Sequence, residues 1–119
     1  MNISNNRIKE LPKNIGQFIH LKKIEAVKNE IHKIPPSFGD LQVLQEIDFV
    51  GNRLTSFPSS IGNLSNLKKI DCSNNQIKSL PNSISGWKKL EQLNLHNNHL
   101  NSIPSVSYTH LTLPTILLV

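Results

Sequence analysis

Apolar and polar residues alternate over three positions at Ile24-Glu25-Ala26, and the same alternation returns at Ile47-Asp48-Phe49, Ile70-Asp71-Cys72 and Leu93-Asn94-Leu95. Alternation of this kind predicts a short β-strand with one buried face and one open face. Successive segments stand 23 residues apart, and the apolar positions between them keep the same interval. Ile8, Ile31, Leu54, Ile77 and Leu100 form one column; Leu11, Ile34, Phe57, Leu80 and Ile103 form another. Further columns run Ile15, Phe38, Ile61, Ile84, then Phe18, Leu41, Leu64, Trp87, then Leu21, Leu44, Leu67, Leu90. All are expected in the core. A fixed period of this length is the signature of stacked repeats, in which each unit buries its apolar face only against its neighbours.

Two polar landmarks share the period. Asn6, Asn29, Asn52, Asn75 and Asn98 close the strand segments, and Pro12, Pro35, Pro58, Pro81 and Pro104 follow them. Where a chain turns off a strand, its backbone groups leave the sheet ladder. A primary amide both donates and accepts, so asparagine there satisfies groups that burial would leave unpaired. Proline fixes φ on the return leg, where a short helical or 3₁₀ turn is expected. Gly16, Gly39 and Gly62 also recur at this interval and are expected to serve a tight turn.

One full unit, Leu44, Ile47, Phe49, Asn52, Leu54, Phe57 and Pro58, resembles the leucine-rich repeat motif L-x-x-L-x-L-x-x-N-x-L-x-x-L-P. The resemblance covers roughly residues 2–105, and its L-P-x-x-I-G-x-L form is similar to the intracellular Ras-group type. It implies an α/β solenoid: an arc of about five repeats, a parallel β-sheet on the concave face and short helical or 3₁₀ turns on the convex side. It also implies a cytoplasmic setting and a concave face used to bind proteins.

The period breaks after Pro104, where Ser107 and His110 occupy apolar columns, although Leu113, Ile116 and Leu118 fall back into register. Val106 to Thr115 reads V-S-Y-T-H-L-T-L-P-T, which resembles one translated frame of a transposase-based sequencing-library adapter. Residues 1–105 are therefore expected to be the repeat array and 106–119 a non-native tail. The chain also enters in mid-repeat at Met1-Asn2-Ile3, so a longer parent chain is expected, with the array here an uncapped fragment.

Composition narrows the function classes. The 119 residues carry a formal net charge of +5, one cysteine and 37% hydrophobic residues, which suits one small domain with no disulfide framework. No apolar run is long enough for a membrane-spanning helix, and no membrane partner is expected. The lysine pairs Lys22-Lys23, Lys68-Lys69 and Lys88-Lys89 spread around the coil without interleaved aromatics, so no nucleic-acid partner is expected either.

The outward strand positions carry the candidate chemistry. One column reads Asn2, Glu25, Asp48, Asp71, Asn94. Lys23, Glu46, Lys69 and Gln92 flank it on one side, and Ser4, Val27, Val50, Ser73 and His96 on the other, with Lys28, Gly51, Asn74 and Asn97 next. Carboxylates stacked at the strand spacing of ~4.8 Å repel one another, and such an acidic ladder beside apolar valines suits a basic or amphipathic partner. The expected partner-binding residues are Lys23, Glu25, Val27, Glu46, Asp48, Val50, Lys69, Asp71, Ser73, Asn94 and His96. A smooth row of carboxylates offers no pocket for acid–base catalysis. His96 and His99 straddle the strand-to-turn junction, so their rings diverge, and Cys72 shares a column with Ala26, Phe49 and Leu95 as a small core residue. Trp87 is likewise expected to pack in the core. No catalytic residue, metal or cofactor is expected. The function this implies is a non-enzymatic interaction scaffold in signal transduction, its rival a substrate-selecting region of a larger kinase, GTPase or ubiquitin ligase.

Overall fold

The computed structural model describes residues 1–101 and 115–117. Ile103, Pro104, Leu113, Leu118 and residues 106–114 lie outside the described residues. Five short strands, β1 (Lys23–Glu25), β2 (Glu46–Asp48), β3 (Lys69–Asp71), β4 (Gln92–Asn94) and β5 (Thr115–Leu117), form one parallel sheet in sequence order. Each residue pairs with the one 23 positions on: Ile24 with Ile47, Ile47 with Ile70, Ile70 with Leu93. The backbone of β5 keeps that interval, pairing Thr115 with Gln92. Asn2 adds an isolated bridge to Glu25 on the outer side of β1.

The return legs run through 3₁₀ turns at Ile15–Gln17, Pro36–Asp40, Ser59–Asn63 and Asn82–Gly86. Proline explains their start. Pro35, Pro58 and Pro81 sit at φ −69°, −66° and −70° in extended backbone, and their carbonyls accept the first bond of each turn from Phe38, Ile61 and Ile84 at 3.0–3.2 Å. A repeat of 23 residues leaves room for one such turn, too short for an α-helix of ordinary length.

Between sheet and turns lies one continuous core, with Ile24, Leu41, Leu44, Leu64, Leu67 and Trp87 fully buried. Each such side chain contributes about 1.5–3 kcal/mol, and only because a neighbouring repeat covers it. Trp87 donates its indole N–H to the Ile61 carbonyl at 2.9 Å and meets Phe57 edge-on, so the largest side chain leaves no polar atom unpaired. Phe18 departs from its column: it is 49% exposed where Leu41, Leu64 and Trp87 are fully buried, because no described element packs on its outer side.

The asparagines do what turn chemistry demands and also stitch repeats together. Asn52 Nδ2 donates to the carbonyls of Phe49 (2.9 Å) in its own repeat and Ala26 (2.8 Å) in the preceding one. Its Oδ1 accepts the Ile31 N–H at 3.1 Å. Asn75 repeats the pattern with Cys72, Phe49 and Leu54, and Asn98 with Leu95, Cys72 and Ile77.

The glycines require a correction. Gly16, Gly39 and Gly62 do lie in the 3₁₀ turns, yet the turn backbone does not itself require glycine there, since Gly51 is the one glycine with positive φ, at 73°. Their role is close approach. A Cβ on Gly39 would lie 2.6 Å from both the carbonyl oxygen and Cβ of Ser60, and Cβ atoms on Gly16 and Gly62 would strike the carbonyls of Ser37 and Ser83. A missing side chain lets adjacent 3₁₀ turns stack backbone to backbone. The serines then bridge backwards: Ser37, Ser60 and Ser83 donate to the carbonyls of Lys13, Pro36 and Ser59 at 2.6–2.7 Å.

Candidate functional site

The pleat turns every second strand residue away from the core, and in-register pairing aligns those residues into rows. Lys23, Glu46, Lys69 and Gln92 form one row, and Glu25, Asp48, Asp71 and Asn94 the next. All of them but Glu25 line a shallow concave groove of about 380 Å³ whose floor is edged by Ile47, Ile70 and Leu93.

The two rows differ in charge balance. Lys23 Nζ lies 3.6 Å from Glu25 and 3.5 Å from Glu46, and Lys69 Nζ lies 4.0 Å from Glu46. The Lys23 ammonium is held above its ordinary pKa by Glu25 first and Glu46 second. Glu46, between two lysines, is neutralised in place. Asp48 and Asp71 form no ion pair among the described residues, so the uncompensated negative charge concentrates on them. Partial burial raises the Asp48 pKa, opposed by the Val50 N–H and reinforced by Asp71 and Glu25.

A local device fixes these carboxylates. Val50 N–H donates to Asp48 Oδ1 at 3.3 Å, Ser73 N–H to Asp71 Oδ1 at 3.1 Å, and His96 N–H to Asn94 Oδ1 at 3.0 Å. Each side chain thus folds over the backbone two residues on, in an Asx turn. One carboxylate oxygen serves the turn while Oδ2 stays free of protein donors among the described residues. Glu25 is too long for this arrangement, and the Val27 N–H goes instead to Ser4 Oγ at 2.9 Å.

The remaining expected residues are placed as follows. Val27 and Val50 are half-buried beside the acidic row, and His96 is exposed at its far end. Ser73 differs from the expectation of an open contact: it is 7% exposed and its hydroxyl donates to Asp71 Oδ1 at 2.8 Å, so it orients the carboxylate. The next column has a conformational role that period alone did not disclose. Asn5, Lys28, Gly51, Asn74 and Asn97 all adopt the left-handed region, at φ 56–73°. Asn97 Nδ2 also donates to Asn74 Oδ1 at 2.8 Å, which places an exposed amide pair beside the acidic row. Cys72 is fully buried, and burial pushes its thiol pKa far up, which removes it as a nucleophile. No group of three or more potential metal ligands occurs among the described residues.

A sequence model of the leucine-rich repeat region matches residues 1–112. The chain belongs to the leucine-rich repeat family. Its fold is similar to that of a leucine-rich-repeat protein from Leptospira interrogans, at 29% identity and a TM-score of 0.73, over 97% of this chain and 35% of that one. It is also similar to the leucine-rich-repeat ectodomain of the plant membrane receptor kinase GASSHO1/SCHENGEN3 from Arabidopsis thaliana, solved in complex with CASPARIAN STRIP INTEGRITY FACTOR 2. That likeness has a TM-score of 0.81 at 34% identity, over 98% of this chain and 14% of the ectodomain chain. No curated protein matches the chain in sequence. The leucine-rich repeat array here spans about a third or less of the length of either neighbour.

Proposed function

We propose that this array holds a protein partner on its concave face, with Glu25, Asp48 and Asp71 meeting a basic or amphipathic segment beside Val27 and Val50. The observation that carries the reading is the row of aligned carboxylates whose last two members have no cationic partner among the described residues. A cation reaching them adds charge-assisted hydrogen bonds that water alone supplies in the free protein. The neighbouring valines offer apolar area to the same segment.

The test is charge reversal of Glu25, Asp48 and Asp71 to lysine, with binding of a short lysine–leucine peptide measured by calorimetry. Trp87 fluorescence reports whether the array remains folded. Affinity should fall roughly tenfold or more, about 1.4 kcal/mol or more. Unchanged affinity in a folded variant removes the concave assignment.

A second reading makes the array the substrate-selecting part of a larger enzyme. It is favoured by the likeness to the leucine-rich-repeat ectodomain of a receptor kinase. A parent reading frame lacking any kinase, GTPase or ubiquitin-ligase domain would remove it. The same reading frame tests our proposal that residues 106–119 are non-native, which predicts that they are absent from it. The cytoplasmic setting rests on the 23-residue repeat form, and finding the parent protein secreted would overturn it.

A further inference from the structure

The net charge of +5 does not reside on the concave face, where Glu25, Glu46, Asp48 and Asp71 outnumber Lys23 and Lys69. Much of it stands on the flank where the chain leaves the sheet for the convex side. Arg7, Lys9, Lys13, Lys33, Arg53 and Lys78 lie there against only Glu10 and Glu30. The two acids are already engaged, Glu10 with His32 and Glu30 with Arg53, each at 3.5 Å. Lys9, Lys13, Lys33 and Lys78 form no ion pair among the described residues.

Two grooves open on the same flank. One, of about 220 Å³, is lined by Glu10, Leu11, Lys13, Lys33, Pro35 and Pro36. The other, of about 380 Å³, runs over Ile34, Phe57 and Pro58 with His32, Lys33 and Thr55 at its rim. Lys33 and Pro36 belong to both, so the grooves adjoin, one repeat apart. Their floor belongs to the core column that burial leaves incomplete: Leu11, Ile34 and Phe57 keep 3–7% exposure, while Ile31 and Leu54 keep none. Apolar floors under a cationic rim form a surface distinct in chemistry from the concave one.

We infer that this flank is a second docking surface, and that it takes a short acidic segment of a protein carrying two apolar side chains. Charge complementarity selects the carboxylates: they meet Lys13 and Lys33, which line the grooves and form no ion pair among the described residues. The grooves select the apolar side chains. Alternate residues of an extended chain stand ~6.6–6.8 Å apart, a spacing that suits pockets one repeat apart on the outer side of an arc. A nucleic acid fits the rim less well, since His32 is the one exposed ring at the rim among the described residues, and successive bases need successive rings to stack on.

The inference is independent of the concave reading and is tested separately. The full chain, labelled with ¹⁵N, is titrated with a short peptide alternating glutamate and leucine. Amide shifts should concentrate on Leu11, Lys33, Ile34 and Phe57, and saturate. The variant Lys13→Glu/Lys33→Glu should bind roughly tenfold or more weakly, about 1.4 kcal/mol or more. Because both lysines are exposed, the variant should give wild-type Trp87 fluorescence. Shifts confined to other surfaces, no saturable shift, or unchanged affinity of the double variant each overturn the inference. So does equal binding by a single-stranded DNA oligonucleotide or by phosphatidylserine vesicles, because it would show charge without the grooves.

Discussion

Replacing Asn52 and Asn75 together by leucine should destabilise the array by more than the two single replacements added. Consecutive asparagines share an acceptor: the Phe49 carbonyl receives Asn52 Nδ2 and Asn75 Nδ2, each at 2.9 Å. Asn52→Leu alone orphans one buried donor, the Ile31 N–H, at about 1–3 kcal/mol. The Ala26 and Phe49 carbonyls each keep one donor, from Asn29 and Asn75, and lose only a second bond, at about 0.5–1 kcal/mol apiece. The single change should therefore destabilise by about 2–5 kcal/mol, and Asn75→Leu by a similar amount. Only in the double variant does Phe49 lose both donors, which adds about 1–2 kcal/mol beyond the sum. Asn29 and Asn75 share no acceptor, so the same cycle on that pair should be additive within about 0.5 kcal/mol. Urea unfolding followed by fluorescence of Trp87, the sole tryptophan and fully buried, reads all the variants. Equal coupling in both pairs, or none in either, refutes the shared-acceptor ladder.

Other consequences follow from particular positions. Lys28 adopts φ 57° where the other repeats place asparagine or glycine, so Lys28→Asn should stabilise by up to about 1 kcal/mol, measured by thermal melting. Gly39→Ala should destabilise by about 1–3 kcal/mol through backbone displacement at Ser60, whereas Gly51→Asn should be near neutral in the same melt. Asp48 has a raised pKa in the folded state, so the native protein binds its proton more readily than the unfolded chain. Stability should therefore fall as pH rises from about 4 through the folded-state pKa. Asp48→Asn, which keeps an acceptor for the Val50 N–H, should flatten that fall, checked by urea midpoints across the acid range.

The strands, the core columns and the asparagine role were legible in the sequence because each rests on a local rule: alternation, a fixed interval, or the donor–acceptor character of one amide. What escaped depends on the distance between repeats. Gly39 looks like a turn glycine until the neighbouring turn is seen against it. Ser37, Ser60 and Ser83 keep the same interval as the prolines, yet their bonds exist only because the turns stack. Ser73 occupies an outward column but folds onto Asp71, a matter of side-chain size that pleat parity does not encode. Phe18 follows its column in sequence and not in burial, since burial belongs to the neighbour that covers it. The concave rows could be listed from the period, whereas the concentration of uncompensated charge on Asp48 and Asp71 needed the distances from Lys23 and Lys69.

The central claim is that the concave carboxylates are where a basic partner sits, and zero-length cross-linking tests it most directly. Carbodiimide would couple the amines of a bound lysine–leucine peptide to whichever carboxylates they touch, and mass spectrometry would locate the joined residues. Cross-links are expected at Glu25, Asp48 and Asp71, and they should vanish on competition with unlabelled peptide. Specific cross-links at Asp40, Glu91 or Glu10 with none on the concave rows would contradict it.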